Sequence, residues 1–200
     1  MKKITLHKRT IFNTPFITPF VRMLCRFFLW VSGWEKEGEM PKNCQRCVII
    51  AAPHSSNLDF LITLALFFLF RLKKVYWTGK ESLFYFPFRT TMGWLGGIPI
   101  DRKLSNNYVE QLVELLRTNE EMMIVIQPEG TRKKVKEWKS GFYNVAREAG
   151  VPIVLGFLDY AKKTGGVLGT FTPSGKKEDT ITEIREIRKR YKGVTGKNHN

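Results

Sequence analysis

The apolar residues of this chain fall into two kinds of segment, short continuous runs and longer stretches with helical spacing. The runs are rich in Val, Ile and Leu, which is typical of buried strands in a parallel sheet. Strands are predicted at residues 46–52, 73–78, 122–126, 151–155 and 167–171, and residues 96–102 are predicted to form a turn that enters a short strand. Helices are predicted at residues 58–70, 108–116 and 138–149 and from residue 180 onward. Because the two kinds of segment alternate, we predict an α/β fold: a single domain with a mostly parallel central sheet flanked by helices.

The N-terminal segment, residues 1–34, has a different pattern. A basic, polar arm comes first, and an aromatic and aliphatic stretch follows, in which a helix is expected to begin near Pro19. Arg22 and Arg26 share one face of this helix, and apolar residues spread over the other side. This pattern is typical of a helix that lies in a membrane interface, with its basic groups toward the lipid headgroups. A helix packed on the domain's own core is the alternative, and the two interpretations do not exclude each other.

Net charge narrows the range of partners. The 200 residues include 33 Lys and Arg but only 18 Asp and Glu, so the formal net charge is +15. Such a chain is attracted to anionic lipid, nucleic acid or acidic proteins. No nucleic-acid-binding motif is recognised, and Arg102 and Arg132, which belong to the motifs described below, fall in predicted loops instead of along one helix face. We therefore expect an anionic membrane surface as a partner, and no nucleic acid.

Targeting features predict peripheral attachment to the cytoplasmic face of a membrane. His7, Lys8 and Arg9 interrupt the apolar core that a signal peptide needs, so no signal peptide is expected. No uninterrupted apolar stretch reaches the roughly 20 residues of a spanning helix. The three cysteines are too few for a disulfide scaffold, which favours a reducing, cytosolic setting.

One candidate loop follows the strand predicted at 46–52. His54 comes just after this strand, and Asp59 lies five residues later, in the first turn of the next helix. If the turn folds back, Asp59 can accept a hydrogen bond from one imidazole nitrogen, which leaves the other nitrogen free to take a proton. The chain has only three histidines, and the other two, His7 and His199, lie near the termini, so no metal site is expected.

A second candidate loop follows the strand predicted at 122–126. It contains an acid, a flexible glycine, a hydroxyl and a guanidinium within four residues: Glu129, Gly130, Thr131 and Arg132. Arg102 adds a second guanidinium at the end of another predicted strand. The carboxyl ends of parallel strands meet at one edge of a sheet, so these groups describe a base beside an anion-binding pocket.

These motifs resemble the sequence blocks of the glycerolipid acyltransferases typified by 1-acylglycerol-3-phosphate acyltransferase. Four blocks of that family are found in order: H-S-S-N-L-D at 54–59, G-I-P-I-D-R at 97–102, P-E-G-T-R at 128–132 and V-P-I-V at 151–154. The resemblance covers roughly residues 45–175. It implies an acyltransferase domain at residues 35–200, preceded by the basic arm and membrane-associating helical segment at 1–34.

The resemblance implies acyl transfer from a thioester to a lysophospholipid hydroxyl, without a covalent acyl-enzyme. His54 would act as the base and Asp59 would orient it. The phosphate-bearing acceptor would be positioned by Arg102, Glu129, Gly130, Thr131 and Arg132. No cofactor is implied, since acyl-CoA or acyl carrier protein serves as co-substrate. Two alternatives remain open: an acyltransferase with a different acceptor, and a non-catalytic binder of anionic membrane lipid.

Overall fold

The computed structural model describes residues 6–7, 9–42, 44–100 and 105–197. Its α-helices are α1 (Ile17–Ser32), α2 (Leu58–Leu69), α3 (Arg89–Trp94), α4 (Ser105–Thr118), α5 (Gly141–Ala149) and α6 (Thr180–Lys189). Its strands are β1 (Glu35–Glu37), β2 (Arg46–Ala52), β3 (Val75–Lys80), β4 (Gly97–Ile100), β5 (Met122–Ile126), β6 (Ile153–Asp159) and β7 (Thr164–Phe171). A 3₁₀ helix, Glu81–Phe84, connects β3 to the segment before α3.

The strands of the described residues form one seven-stranded sheet in the order β1-β7-β6-β2-β5-β3-β4. Neighbouring strands are parallel except β6 and β7, which run antiparallel. This confirms the predicted α/β fold with a mostly parallel sheet flanked by helices. β2 and β5 lie side by side, with Val48 opposite Ile124 and Ile50 opposite Ile126. The loops that follow these two strands therefore leave the sheet at the same edge.

Successive side chains of β2 face different helices, because a strand points its side chains alternately to opposite faces. Val48 and Ile50 belong to the core under α4, α5 and α6, whereas Cys47 and Ile49 pack toward α1 and α2. All four side chains are buried. A strand that is covered on both faces is apolar, which explains the continuous apolar run at 47–52, after the exposed Arg46.

Several elements differ from the prediction in their boundaries, and one strand was not predicted. α1 begins at Ile17, slightly before the expected start at Pro19, because the first turn of a helix tolerates proline. β6 continues to Asp159, beyond the predicted end at residue 155. β1 is charged and exposed at all three positions, so no apolar pattern predicts it. It forms because its backbone pairs with β7 at the edge of the sheet.

Helix α1 packs on α2 with one face and exposes an apolar face on the other. On the inner face, Leu29 is buried against Ile62 and Leu66 of α2. The outer face carries large apolar side chains, each at least 40% exposed: Phe20, Met23, Leu24, Phe27, Phe28, Trp30 and Val31. The core-packing interpretation is therefore correct for the inner face, and the outer face keeps the character of an interfacial helix.

The prediction that both arginines of α1 point toward lipid headgroups is wrong for Arg22. Its Nε donates a hydrogen bond to the carbonyl oxygen of Phe68 in α2, at 3.2 Å. Arg22 follows the buried Thr18 by four residues, so the two share the inner face. Arg26 is exposed. Within the described ranges, no helix is long and apolar enough to cross a membrane.

Candidate active site

His54 and Asp59 lie side by side in the turn between β2 and α2. His54 Nδ1 is 3.4 Å from Asp59 Oδ2. The histidine side chain is 16% exposed and the aspartate side chain 3%, so the imidazole is accessible and the carboxylate is buried behind it. With Nδ1 facing the carboxylate, Nε2 is the nitrogen that can take a proton from a bound hydroxyl.

The Asp59 carboxylate also shapes the turn, because it accepts hydrogen bonds from the residues before α2. Oδ2 accepts from the backbone N–H groups of Ser55, at 2.5 Å, and Ser56, at 2.8 Å. Oδ1 accepts from the Ser56 hydroxyl at 2.7 Å. Asn57 directly precedes α2 but makes no capping bond with its side chain. The first-turn carboxylate therefore satisfies N–H groups at this end of the helix.

Tyr160 is a further partner of Asp59. Its hydroxyl donates to Asp59 Oδ1 at 2.5 Å, and its ring packs edge-on against Trp34 with 4.9 Å between ring centroids. Burial alone would raise the pKa of Asp59, but hydrogen bonds from His54, Tyr160 and Ser56 outweigh burial and hold this pKa well below its usual range. Asp59 is therefore ionised at neutral pH and can stabilise an imidazolium at His54.

Sequence reasoning missed Tyr160, although a signal was present. Tyr160 directly follows β6, a neighbour of β2, and residues past the carboxyl ends of strands are the ones that form sites in such sheets. Burial and the hydrogen bond to Asp59 raise the pKa of Tyr160. Its hydroxyl therefore keeps its proton and acts as a donor to the carboxylate.

Glu129 joins the second loop to the first. Its Oε2 accepts a hydrogen bond from the backbone N–H of His54 at 2.7 Å, and the residue is buried. This contact fixes the backbone of the candidate base relative to the loop after β5. The sequence does not indicate it, because the two residues are 75 positions apart. The role of Glu129 toward an acceptor, which the family resemblance implies, stays a prediction.

The rest of the second loop forms a turn with an exposed outer side. Gly130 has a φ of 63°, in the left-handed region that favours glycine. Its N–H donates to the carbonyl oxygen of Gln127 at 3.3 Å, so this donor is used within the loop. Thr131 Oγ1 accepts from the N–H of Lys133 at 3.3 Å. The side chains of Thr131 and Arg132 are exposed.

Both loops open into one cleft of about 560 Å³. Its lining includes His54 and three of the predicted acceptor-binding residues, Gly130, Thr131 and Arg132. Much of the remaining lining is apolar: Phe60, Leu61, Trp77, Leu83 and Met92. Arg102 lies outside the described residues. The structure thus brings a candidate base together with a cation and an apolar wall.

Lys139 is a second residue that sequence reasoning missed. A Cβ atom built on Gly130 would lie 3.1–3.2 Å from Cδ, Cε and Nζ of Lys139, so this side chain extends along the loop. Lys139 also lines a neighbouring cavity of about 410 Å³, which shares Thr78, Gln127 and Gly130 with the cleft. A cation is therefore present on each side of the Gly130 turn.

Comparison with known proteins identifies the family. A family model described as Acyltransferase matches residues 31–154, which is more than half of the chain. This chain belongs to the acyltransferase family. The matched region contains His54, Asp59 and the Gln127–Arg132 loop. The resemblance drawn from the sequence blocks is confirmed at the level of the family.

The fold is also similar to the crystal structure of the 1-acyl-sn-glycerophosphate (LPA) acyltransferase PlsC from Thermotoga maritima. The TM-score is 0.58 and the sequence identity 17%, over 89% of this chain and 78% of that chain. A search of curated proteins gives no significant match. At this identity the likeness supports the acyltransferase fold, while the substrate has to be inferred from the site itself.

Proposed function

We propose that this acyltransferase moves a fatty acyl group from an acyl thioester to the free hydroxyl of a lysophospholipid, such as 1-acylglycerol-3-phosphate, in phospholipid biosynthesis. The observation that carries the proposal is the composition of the cleft around His54. An acyl chain requires apolar walls, which Phe60 and Trp77 supply, and a phosphate requires a cation, which Arg132 supplies. The donor in this proposal is acyl-CoA or acyl carrier protein, as co-substrate and without a further cofactor.

The reaction in this proposal is a direct attack on the thioester. His54 Nε2 takes the proton of the acceptor hydroxyl as its oxygen forms a bond to the carbonyl carbon. The tetrahedral intermediate then collapses, the C–S bond breaks, and the proton passes from His54 to the departing thiolate. Asp59, 3.4 Å from Nδ1, keeps the imidazole in the required tautomer and stabilises its charged form.

Acceptor binding in this proposal relies on the groups around the second loop. Arg132 and Arg102 bind the phosphate, and the Thr131 hydroxyl contributes a further polar contact. Glu129 acts indirectly as well, because it holds the backbone of His54 at 2.7 Å. The fatty chain of the substrate lies along the apolar part of the cleft.

We further propose that the enzyme attaches peripherally to the cytoplasmic face of an anionic membrane. The outer face of α1 supports this, since its exposed side chains are large and apolar while the chain as a whole carries a charge of +15. A lipid acceptor does not leave the bilayer readily, so an enzyme that acts on it has to work at the membrane surface.

The direct test combines purified full-length protein with acyl-CoA or acyl carrier protein and a panel of lysophospholipids, analysed by lipid mass spectrometry. We expect an acylated product, and we expect His54→Ala to lower kcat by about 10²–10⁴-fold in a folded protein. Arg132→Ala should raise KM for a phosphate-bearing acceptor by roughly tenfold or more, because a hydrogen bond to a charged group contributes about 1.5–3 kcal/mol.

A non-catalytic binder of anionic lipid is the competing function, and the apolar face of α1 favours it equally. That function predicts vesicle binding without any acyl product, and vesicle binding that is unchanged in His54→Ala. If acceptor KM stays constant in Arg132→Ala while donor KM rises, the anion-binding part of the cleft belongs to the donor instead.

A further inference from the structure

The exposed apolar surface of this protein is confined almost entirely to one side of the sheet. Among the residues that the structure describes, the exposed large hydrophobic side chains other than Leu168 and Ile181 belong to α1 and Phe16 just before it, to Leu61 of α2 and to the segment before α3. All three elements lie on the same side: Phe60 of α2 packs on Trp77, and Trp77 packs on Phe84 of the 3₁₀ helix. The opposite side is covered by α4, α5 and α6.

Part of this apolar surface lies outside α1, on a short segment before α3. We name it the mouth segment, and its exposed apolar side chains are Leu83, Tyr85, Phe86 and Phe88. Each of these side chains is about half exposed or more, and Phe86 reaches 96%. So much exposed aromatic surface in six consecutive residues is unusual for a protein that stays in water. It indicates that the segment is covered by something apolar.

The mouth segment stands at the entrance of the catalytic cleft. Leu83 lines the cleft together with His54, and so do Lys80 and Ser82 just before it. α3 follows the segment and ends at Trp94, whose indole N–H donates to Thr14 Oγ1 at 3.2 Å, shortly before α1 begins. The mouth segment and α1 are therefore linked parts of one apolar side.

We propose that the mouth segment inserts into the bilayer as a second membrane contact, separate from α1, and that it lets the lipid acceptor pass sideways from the membrane into the cleft. This inference rests on the proposed function, because it assigns the path by which the acceptor reaches His54. A fatty chain that leaves the bilayer at Phe86 meets an apolar wall of Leu83, Leu61 and Phe60 as it moves inward.

The charge around the segment fits a membrane as its cover. Lys80 and Arg89 flank it on either side and are both exposed, whereas Glu81, the acid next to Lys80, is only partly exposed. Basic groups beside inserted aromatic side chains match anionic headgroups above acyl chains. The exposed rings stand on a loop rather than in a groove, which suits insertion into lipid better than docking of a peptide.

The test compares Phe86→Ser/Phe88→Ser with a matched control, Leu168→Ser/Ile181→Ser, which removes exposed apolar side chains of β7 and α6. Neither pair touches the catalytic residues. Full-length proteins are floated with vesicles of phosphatidylcholine and phosphatidylglycerol. They are assayed with a long-chain lysophosphatidate in those vesicles and with a short-chain, water-soluble acceptor. A thermal melt confirms that each variant is folded.

We expect the mouth variant to bind vesicles roughly tenfold more weakly than the wild type, because two aromatic side chains no longer enter the bilayer. Its kcat/KM should fall by a similar factor on the vesicle acceptor and stay unchanged on the soluble acceptor, while the control matches the wild type in all three measurements.

Two results overturn the inference. Unchanged vesicle binding excludes insertion, and an equal loss on both acceptors means that the segment belongs to the catalytic site itself. If vesicle binding is unchanged, the soluble assay is repeated with acyl carrier protein as the donor, and a raised KM for this donor assigns the segment to an acidic protein partner. If the wild type acylates no acceptor, the proposed function fails instead, and the flotation result still decides whether the segment inserts.

Discussion

At the scale of single residues, the environment of Asp59 decides how the candidate base is held. The carboxylate binds two backbone N–H groups, a serine hydroxyl and the hydroxyl of Tyr160, and it faces the imidazole of His54. These donors fix the orientation of the carboxylate. Because Nδ1 of His54 faces the carboxylate, they also hold the imidazole in place without being part of the base itself. Tyr160 is the member of this set that comes from a distant part of the chain.

Tyr160→Phe tests whether this hydroxyl positions the catalytic pair. We expect kcat to fall roughly tenfold while both KM values stay within about twofold of the wild type, because one hydrogen bond to a charged group is lost and the substrate contacts remain. Tyr143→Phe is the matched control, since its hydroxyl donates at 2.5 Å to Glu183 on the other side of the sheet. Steady-state kinetics of both variants measure the effect. An equal loss in the two variants contradicts a specific role for Tyr160.

The lowered pKa of Asp59 predicts how stability depends on pH. Burial opposes ionisation, but the hydrogen bonds from His54, Tyr160 and Ser56 keep the folded-state pKa below that of the unfolded chain, which is about 3.9. The contribution is therefore present above about pH 4 and lost as the pH falls toward the folded-state pKa. Asp59→Asn should be less stable than the wild type at neutral pH, and the difference should narrow in acid.

Thermal melts from about pH 7 to pH 2 measure this difference. In a chain of this size, each kcal/mol of unfolding free energy shifts the melting temperature by about 2–4 °C. Glu178→Gln is the control, since it removes an exposed carboxylate instead of a buried one. A difference between wild type and Asp59→Asn that stays constant over the whole range would show that the carboxylate contributes no linked stability.

At the scale of elements, α1 has two faces with separate roles. The inner face is part of the core: Leu29 is buried on α2, and Arg22 binds the carbonyl oxygen of Phe68. Phe12 and Trp34, on either side of the helix, are also buried. Deleting residues 1–34 is therefore expected to destabilise the domain, so a deletion cannot isolate the membrane contribution of the helix.

Substitutions on the outer face of α1 avoid this problem. In Phe27→Ser/Trp30→Ser, both changed side chains are exposed, so we expect a melting temperature within a few degrees of the wild type and at least tenfold weaker binding to anionic vesicles. Ile181→Ser, an exposed apolar residue of α6, serves as the control. Vesicle flotation and a melt on the same samples separate the two effects. Undiminished binding of a folded double variant excludes α1 as a membrane contact.

At the scale of the whole molecule, exposed apolar side chains occur together with a net charge of +15. Binding to anionic vesicles should therefore weaken severalfold between about 0.1 M and 1 M salt, as the Debye length shrinks from about 10 Å to about 3 Å. A residual, salt-resistant part should remain, because the burial of aromatic side chains is not screened. Flotation at several salt concentrations measures both parts. Binding that does not respond to salt removes the electrostatic contribution from the proposal.

The sequence by itself determined the features that depend on local patterns. Apolar runs gave the positions of β2 and β5, because a strand covered on both faces is apolar at every position. The motifs after these strands placed His54 and the Glu129–Arg132 loop at one edge of the sheet, because parallel strands end on the same side. The family followed from the order and spacing of those motifs.

Only the tertiary structure decided which distant groups meet. Glu129 binds the backbone of His54 across 75 positions, and Tyr160 binds Asp59 across 101. Arg22, which the helical pattern assigned to lipid headgroups, binds α2 instead. Hydrogen-bond partners of this kind depend on how the elements are arranged in space. Hydrophobic periodicity records which positions are buried but does not record what they are buried against.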